Sequence, residues 1–464
     1  MSAPESTLAL LARYDRPGPR YTSYPTAVEF TPEFGEAQYL ERLAAADALG
    51  EQPISLYAHL PFCEARCLFC GCNVVISRRP DVTRPYLDHL IAEIDLLARH
   101  LPHRRRVAQM HWGGGTPTSY PIDELERLHA AFLRHFEFAS GAEIGVEVDP
   151  RVTSDEQVAR LAALGFNRFS MGVQDFSPEV QRAVNRIQSV EQTETLIERA
   201  RSEGATSVNI DLIFGLPMQT LEGFRRTIRQ VLEIGPDRVA VYSFAFVPWI
   251  QAHMKKLPAG SLPDASLKLE LLSAAIDDFT AAGYAAIGMD HFARPDDELA
   301  RAQGAGTLHR NFMGYTVQSA ADLLGVGISA IGDVQRAYAQ NTKKLPEYAA
   351  ALDAGRFPVA RGRRLSADDA LRRHVILELM CNLRLDVADV ERRFGIDFGR
   401  TFAAELESLT GPDSPVAHGL MTLEPHRLQV TPRGRLFVRN ICMAFDRYLD
   451  ARLTSEKPVF SRTV

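Results

Sequence analysis

The sequence predicts an α/β fold: an incomplete barrel of six strand–helix units, preceded by an N-terminal arm and followed by a small, mainly helical, winged-helix-like domain. Three observations carry this prediction. From about residue 53 to 245, short apolar runs alternate with amphipathic ones, and alternating strand and helix makes a parallel sheet with right-handed crossovers. The unusual polar and glycine motifs each follow the C-terminal end of a predicted strand, where active sites of parallel α/β folds gather. From about residue 365 a different pattern starts, of helices followed by a hairpin. The expected divisions are residues 1–50 for the arm, 51–360 for the catalytic domain and 361–464 for the cap.

In chain order, the arm holds few strong periodic elements. Its segment GPRYTSYPT (residues 18–26), with Pro17, Pro19 and Pro25, cannot be helical and takes an extended or turning path. It reads either as a strap across the main domain or as a lid whose Arg20, Tyr21 and Tyr24 contact a planar acidic ligand. Expected strands are Ile54–Leu60, Val107–Trp112, Glu143–Val148, Arg168–Gly172, Ser207–Leu212 and Arg238–Ser243. In the helical stretch Tyr86–His100, Leu87, Leu90, Ile91, Ile94 and Leu97 share one face. Asp123 and Ser154 read as helix starts. The glycine-punctuated run near Ile331 reads as a strand or turn returning to the core. Helices are expected at Ala367–Cys381, Val387–Phe394 and Phe398–Ser408, and GLMTLEPHRLQV reads as a hairpin around a Glu-Pro-His turn. Winged helices often bind DNA, but Asp386, Asp389, Glu391 and Asp397 argue against that here.

At 464 residues the chain is long enough for a large core and two domains. A net charge of −6 argues against a general nucleic-acid binder. No run approaches a membrane span. The N-terminal MSAPESTLALLARYD has no basic leader and too short an apolar run for a secretion signal, so a cytoplasmic location is expected. Cys381 and Cys442 lie in apolar sequence and read as buried thiols. The absence of a sustained apolar heptad leans toward a monomer.

Four of the six cysteines fall in YAHLPFCEARCLFCGCN, residues 57–73. Cys63, Cys67 and Cys70 are spaced so that one short loop can wrap three corners of a cubane iron–sulfur cluster, whose full complement of thiolates would be four. Disulfides fit poorly between such near neighbours. Structural zinc needs a second ligand pair, which is missing at the usual spacing. A ferredoxin needs a fourth ligand and a trailing proline in a shorter chain. Three thiolates leave one iron free to bind a further ligand. The Gly113-Gly114-Gly115-Thr116-Pro117 run lacks the Lys-Ser/Thr of a P-loop. It offers instead a backbone that a ligand can approach closely.

The C-x-x-x-C-x-x-C spacing, with aromatic Phe69 before its last cysteine, resembles the radical S-adenosylmethionine (SAM) enzymes. The extra cysteine, Cys72 in GCN, narrows the resemblance to the oxygen-independent coproporphyrinogen III oxidases. The GPRYTSYPT arm, HWGGGTPT, EVDP, SMGVQDF, NIDLIFGLP, GMDHFARPDDELA, HRNFMGYT and RNICMAFD are similar to that branch in the same order.

The resemblance implies one [4Fe-4S] cluster on Cys63, Cys67 and Cys70, with SAM on the unique iron. It places Gly114, Gly115 and Thr116 at the methionine end of SAM, Glu147 at the ribose, Tyr57 beneath the adenosyl site, and Ala245 and Ile331 at the adenine. It assigns Gln174, Arg186 and Asp211 to a second SAM molecule, Arg186 gripping its carboxylate at two points. The implied reaction removes a β-hydrogen from a propionate by a 5′-deoxyadenosyl radical, followed by loss of carbon dioxide and an electron. Done twice, it turns coproporphyrinogen III into protoporphyrinogen IX in porphyrin and haem biosynthesis. An electron donor such as flavodoxin or ferredoxin and an unidentified acceptor are implied. Arg20, Arg294 and Arg310, in loop-like motifs, are candidates for the substrate's carboxylates, and Cys72 is a candidate for tuning the site, contacting the second SAM or acting as reductant. The rival from another class is a haem chaperone that kept the cluster loop. It would lack the fourth cysteine and the arm, and both are present. Another radical enzyme, such as a methyltransferase, and a plain structural iron–sulfur protein are further alternatives.

Overall fold

The computed structural model describes residues 7–318, 322–453 and 459–463. Six parallel strands run side by side: β1 (Ile54–Leu60), β2 (Arg106–Gly114), β3 (Glu137–Val148), β4 (Arg168–Gln174), β5 (Ser207–Phe214) and β6 (Arg238–Ser243). Each is followed by at least one helix, including Pro80–Arg99, Ile122–Leu133, Asp155–Ala163, Val190–Ser202, Leu221–Ile234 and Ala265–Ala281. Antiparallel β7 (Ala285–Ile287) and β8 (His291–Ala293) continue the sheet beyond β6. On the other side, β9 (Leu323–Val326) pairs parallel with β1, and β10 (Ile331–Asp333), β11 (Ala337–Asn341) and β12 (Val359–Arg364) extend it antiparallel. The returning strand expected near Ile331 is thus a seventh parallel strand followed by a meander.

Side-chain alternation explains why the barrel interior is polar. Along β1, Ile54, Leu56, Ala58 and Leu60 are fully buried and join Leu87, Leu90, Ile94 and Leu97 of the covering helix in one core. The alternate residues Ser55, Tyr57 and His59 therefore face the other way, toward the barrel axis. The same parity brings Gln109, His111, Glu143, Glu147, Ser170, Asn209 and Asp211 inward, and Ser55 bonds to Gln109, which bonds to Glu143. The helices supply the apolar seal, and the axis is left for chemistry.

Several boundaries differ from the sequence reading. The arm contains two helices, Thr7–Tyr14 and Glu36–Asp47. Helix Ile122–Leu133 starts before Asp123, with Pro121 at its N-cap. Ser154 does cap its helix, accepting from Gln157 N in a capping box. The expected Phe398–Ser408 helix is broken at Phe402 into Phe398–Thr401 and Ala403–Thr410. Arg384–Asp386 adds a third strand to the hairpin of Met421–Glu424 and Arg427–Val430. These C-terminal elements share a second core with Tyr21 and Tyr24 of the arm. Cys381 and Cys442 are buried thiols. No described helix is long and apolar enough to cross a membrane.

Candidate active site

The cysteine loop leaves β1 at Pro61, which cannot continue a hydrogen-bonded strand. Phe62–Cys63 then pairs with Val75–Ile76, closing the loop at its base. The loop is held from outside by side chains and backbone of two other segments. Asn185 Nδ2 donates to Arg66 O at 2.9 Å, Leu68 N to Val184 O at 2.9 Å, His253 Nε2 to Cys70 O at 2.9 Å and Gln251 Nε2 to Gly71 O at 3.0 Å. Four thiols, Cys63, Cys67, Cys70 and Cys72, border one cavity of about 280 Å³.

The glycine run forms the facing wall. Gly114 has φ +110°, and a Cβ there would lie 2.3 Å from the His59 ring. A Cβ on Gly115 would lie 2.5 Å from the Pro61 carbonyl carbon. Only glycine lets β2 pass so close to the cysteine loop. Thr116 Oγ1 lies 3.4 Å from Cys63 Sγ. Glu147 Oε2 accepts from Gly114 N at 3.0 Å, and its Oε1 is 3.5 Å from His111 Nε2. Burial disfavours the Glu147 charge, but His111 and the Gly114 N–H outweigh it and hold the carboxyl below its usual range. Beneath this layer the Tyr57 ring stacks on His111 at 6.3 Å, and its hydroxyl meets His59 Nδ1 at 3.0 Å.

The opposite wall is cationic. Asp149 holds Arg151 at 2.7 Å and Arg186 at 2.9 Å, and both guanidinium groups approach Cys67 Sγ, at 3.5 and 3.6 Å. Arg186 also donates to Gly172 O, while its Nε is closed off from solvent without a partner. Gln174 lines the same wall with φ +71°. Asp211 accepts from Asn209 Nδ2 at 2.8 Å and Ser170 Oγ at 3.3 Å. Burial, aided by the charge of Glu147, pushes its carboxyl up to about 6.

The donor chemistry fits a cubane cluster. Three thiols from one loop, two cations behind one of them and a glycine wall opposite suit a body larger than one ion. Among the described residues no group of three or more His, Cys, Asp or Glu side chains is arranged to hold a single metal ion. Cys72 shares a hydrogen bond with Cys70, which lowers the Cys70 thiol to about 7 and raises that of Cys72.

Cys63, Cys67, Phe69, Cys70, Cys72, Gly114, Gly115, Thr116, Glu147, Gln174, Arg186 and Asp211 all line this cavity. Tyr57 lies under it, whereas Ala245, just past β6, and Ile331, at the start of β10, are outside its lining. Two expectations are corrected. Arg294 sits beside the N-terminal end of β6, the rim away from the cysteines, donating to Gly235 O at 2.6 Å. Tyr21 and Tyr24 face the C-terminal core rather than a ligand: Tyr21 Oη donates to Asp446 at 3.0 Å, and Tyr24 Oη accepts from Arg447 N at 3.1 Å. Arg20 of the same segment does reach the barrel rim, donating to Ser243 O at the end of β6.

Arg310 stacks on Tyr315 at 4.9 Å, and its Nε and Nη1 are closed off from solvent with no partner. It borders a second cavity of about 700 Å³, together with Arg336, Arg373, His374 and Arg393. Burial opposes ionisation of nearby Asp290, but His291, Arg310 and Arg20 hold its carboxyl at about 2. The sequence reading missed Arg151, His59, His111 and Tyr242. Each lies inside an expected strand or one turn past it, and only the inward parity of the strands could have marked the last three.

The radical SAM superfamily profile matches residues 57–231, and the HemN C-terminal domain profile matches residues 365–437. The chain is 47% identical over 461 residues to the oxygen-independent coproporphyrinogen III oxidase of Salmonella typhimurium, covering 98% of each chain. It is 43% identical over 464 residues to that of Synechocystis, covering 99% of this chain and 98% of the relative. The solved structure of coproporphyrinogen III oxidase (HemN) from Escherichia coli, a radical SAM enzyme, superposes with a TM-score of 0.90 at 46% identity, covering 96% of this chain and all of that one. Identity of this order across nearly the whole length, together with a cysteine loop facing a glycine wall, shows that the chain belongs to the oxygen-independent coproporphyrinogen III oxidases of the radical SAM superfamily.

Proposed function

We propose that the protein oxidatively decarboxylates two propionate side chains of coproporphyrinogen III to vinyl groups, giving protoporphyrinogen IX. The observation that carries this reading is the single cavity where three cluster-type thiols, the Gly114-Gly115-Thr116 wall and the Glu147 carboxylate converge. When bound, the [4Fe-4S] cluster and SAM supply a carbon-centred radical that removes a hydrogen atom from the propionate β-carbon.

The chain's own residues bind and orient. Cys63, Cys67 and Cys70 would ligate the cluster, and Arg151 and Arg186 lie beside Cys67 Sγ. Gly114, Gly115 and Thr116 present backbone groups to the amino-acid end of SAM, and Glu147, held ionised, accepts from its ribose hydroxyls. Tyr57 floors the site, and Ala245 and Ile331 contact the adenine from outside the present cavity wall. Gln174, Arg186 and Asp211, which line the same cavity, hold a second SAM molecule. The sealed barrel excludes water and competing hydrogen donors.

The substrate carries four carboxylates. Arg310, whose Nε and Nη1 have no hydrogen-bond partner, is the strongest candidate to meet one, and the cavity beside it, where arginines outnumber carboxylates, suits others. Arg20 reinforces the same corner. An Arg310→Ala variant should raise KM tenfold or more, because a charged hydrogen bond contributes about 1.5–3 kcal/mol. Unchanged KM would remove it from the substrate site. The expected electron donor is flavodoxin or ferredoxin, the protein acts as a monomer, and an oxygen-sensitive cluster suits a reducing cytoplasm. Anaerobic incubation of cluster-loaded protein with SAM, dithionite and coproporphyrinogen III tests the whole reading. Protoporphyrinogen IX and 5′-deoxyadenosine are expected. Haem transfer without the divinyl product would favour the chaperone.

A further inference from the structure

Strand β6 serves two cavities. Tyr242 lines the one at the cysteines, whereas its neighbours Val241 and Ser243 line another. Alternate residues of a strand point to opposite sides, so this second space lies across the sheet from the cysteines. It measures about 40 Å³. One wall is apolar, made by Phe214, Val241, Leu272 and Ile276 where helix Ala265–Ala281 covers β5 and β6. The other is built by three arginines from the two ends of the chain: Arg20 of the arm, Arg435 of the short helix Gly434–Phe437 and Arg439 of Val438–Met443.

The charge of these arginines is poorly matched. Arg439, 5% exposed, spends its donors on backbone carbonyls: Nε on Pro19 O at 3.0 Å, Nη2 on Gly18 O at 2.6 Å and Nη1 on Thr463 O at 2.9 Å. Arg20 donates to Ser243 O. Arg435 is half-buried, and its side chain forms no hydrogen bond or ion pair among the described residues. Asp290 is the one carboxylate among the described lining residues, and its Oδ1 is already bonded to His291 Nδ1 at 2.7 Å. Buried charges ordinarily have a counter-charge. Burial, with Arg20 as the next cause, pushes the Arg439 guanidinium down to about 9. Burial also lowers Arg435 and Arg20, and Asp290 offsets this for Arg20 only in part. Lys268 Nζ lies 6.0 Å from the Phe214 ring, and burial, against Asp15 and with Arg20 and Arg439, pushes it down to about 8. An anion among these groups would reverse each shift.

We infer that this cavity binds one small carboxylate-type monoanion, with Arg20 and Arg435 donating to it and the apolar wall behind its carbon end. Size sets the class: a buried water needs roughly 10–15 Å³, so the space takes about three or four heavy atoms. That is a carboxylate with a single carbon behind it, or bicarbonate. A planar carboxylate matches guanidinium forks at two points. Bound here, it ties the arm to the C-terminal domain across the end of β6. Two sources supply such a group: a free ion, or a propionate of the substrate passing the end of β6. The free ion is independent of the proposed reaction, and the propionate rests on it.

The test uses cluster-loaded full-length protein in chloride-free buffer, with isotopically labelled acetate as the probe and neither SAM nor reductant present. Acetate should bind wild type saturably at one site per chain, read by broadening of its carbon NMR line, and should raise the urea midpoint over the same concentration range. Arg435→Gln removes a charged donor, and Ile276→Phe fills the cavity without changing its charge. Each should weaken acetate binding tenfold or more, with the cluster absorbance as in wild type. Wild type that binds no acetate saturably would overturn the proposal, and so would equal binding in all three proteins. Loss in one variant only would overturn it too. With Arg435→Gln alone, the ion sits on a cation outside the cavity; with Ile276→Phe alone, Arg435 is not a ligand. Coproporphyrinogen III added to the wild-type acetate complex separates the sources: release of acetate assigns the site to a substrate propionate, and retention assigns it to a free ion. Turnover is not read at any point, so failure of coproporphyrinogen conversion would count against the proposed function alone.

Discussion

Cys72 borders the same cavity as Cys63, Cys67 and Cys70, yet its thiol is engaged with Cys70. The two flanking serine variants should therefore separate. Cys67→Ser should abolish the brown cluster absorbance and the bound iron, whereas Cys72→Ser should retain both. Loss in both would make Cys72 a ligand. Glu147 offers a second separation, because its carboxylate is held in the cavity by His111 and Gly114 N. Glu147→Gln should weaken SAM binding by ten- to a hundredfold, in line with about 1.5–3 kcal/mol for a hydrogen bond to a charged group, with cluster absorbance unchanged. Residue identities of this kind were legible in the sequence because cysteine spacing and strand-end motifs report them directly. Arg151, His59 and His111 were not, since their roles arise only when neighbouring strands are placed in register. Arg294 misled for the same reason: a loop-like arginine carries no sign of which rim of the sheet it occupies.

The elements matter through how closely they approach. β2 and the cysteine loop touch at Gly115, where a methyl group would meet the Pro61 backbone at 2.5 Å. Gly115→Ala should cost about 1–3 kcal/mol by overpacking and lower the denaturation midpoint accordingly. A variant of wild-type stability would mean that the loop yields freely. Helix Pro80–Arg99 is tied to the strands beyond β9 through Glu93, whose carboxylate accepts from Gly327 N at 2.7 Å, Asn341 Nδ2 at 2.7 Å and Tyr348 Oη. Burial outweighs these three bonds and pushes the carboxyl up to about 7. A raised folded value means that protonation favours the folded state. The contribution is complete below the unfolded value near 4.5 and is lost as pH rises through about 7. Wild type should therefore lose up to about 3 kcal/mol relative to Glu93→Gln between those limits, read as the difference in urea midpoints across pH. A pH-independent difference would contradict this. The parallel strands were legible from their apolar alternation, with β1 and β6 matching their expected limits. The two arm helices were not, because prolines and short apolar stretches in residues 1–50 obscure their period, and Phe402 breaks a helix whose apolar spacing runs on unbroken.

At the scale of the molecule, the architecture separates two tasks. Apolar faces of the strands are spent on sealing the barrel with helices, and the inward faces build a polar axis that ends at the cysteine loop. The N-terminal arm closes this arrangement from outside. Its Tyr21 and Tyr24 anchor in the C-terminal core while Arg20 reaches Ser243 at the barrel rim, so the arm ties the two cores together. The arm was legible as an extended strap from its prolines, but its anchoring partners lie more than two hundred residues away in sequence and leave no local trace. The proposed reaction depends on a cluster with three protein thiolates and one iron left for SAM. Pulsed electron–nuclear double resonance on the anaerobically reduced, reconstituted protein with isotopically labelled SAM tests this most directly. Coupling from the labelled amino nitrogen and carboxylate to the cluster is predicted in wild type and in Cys72→Ser. A cluster with no such coupling, already saturated by four side chains, or zinc in its place, would contradict it.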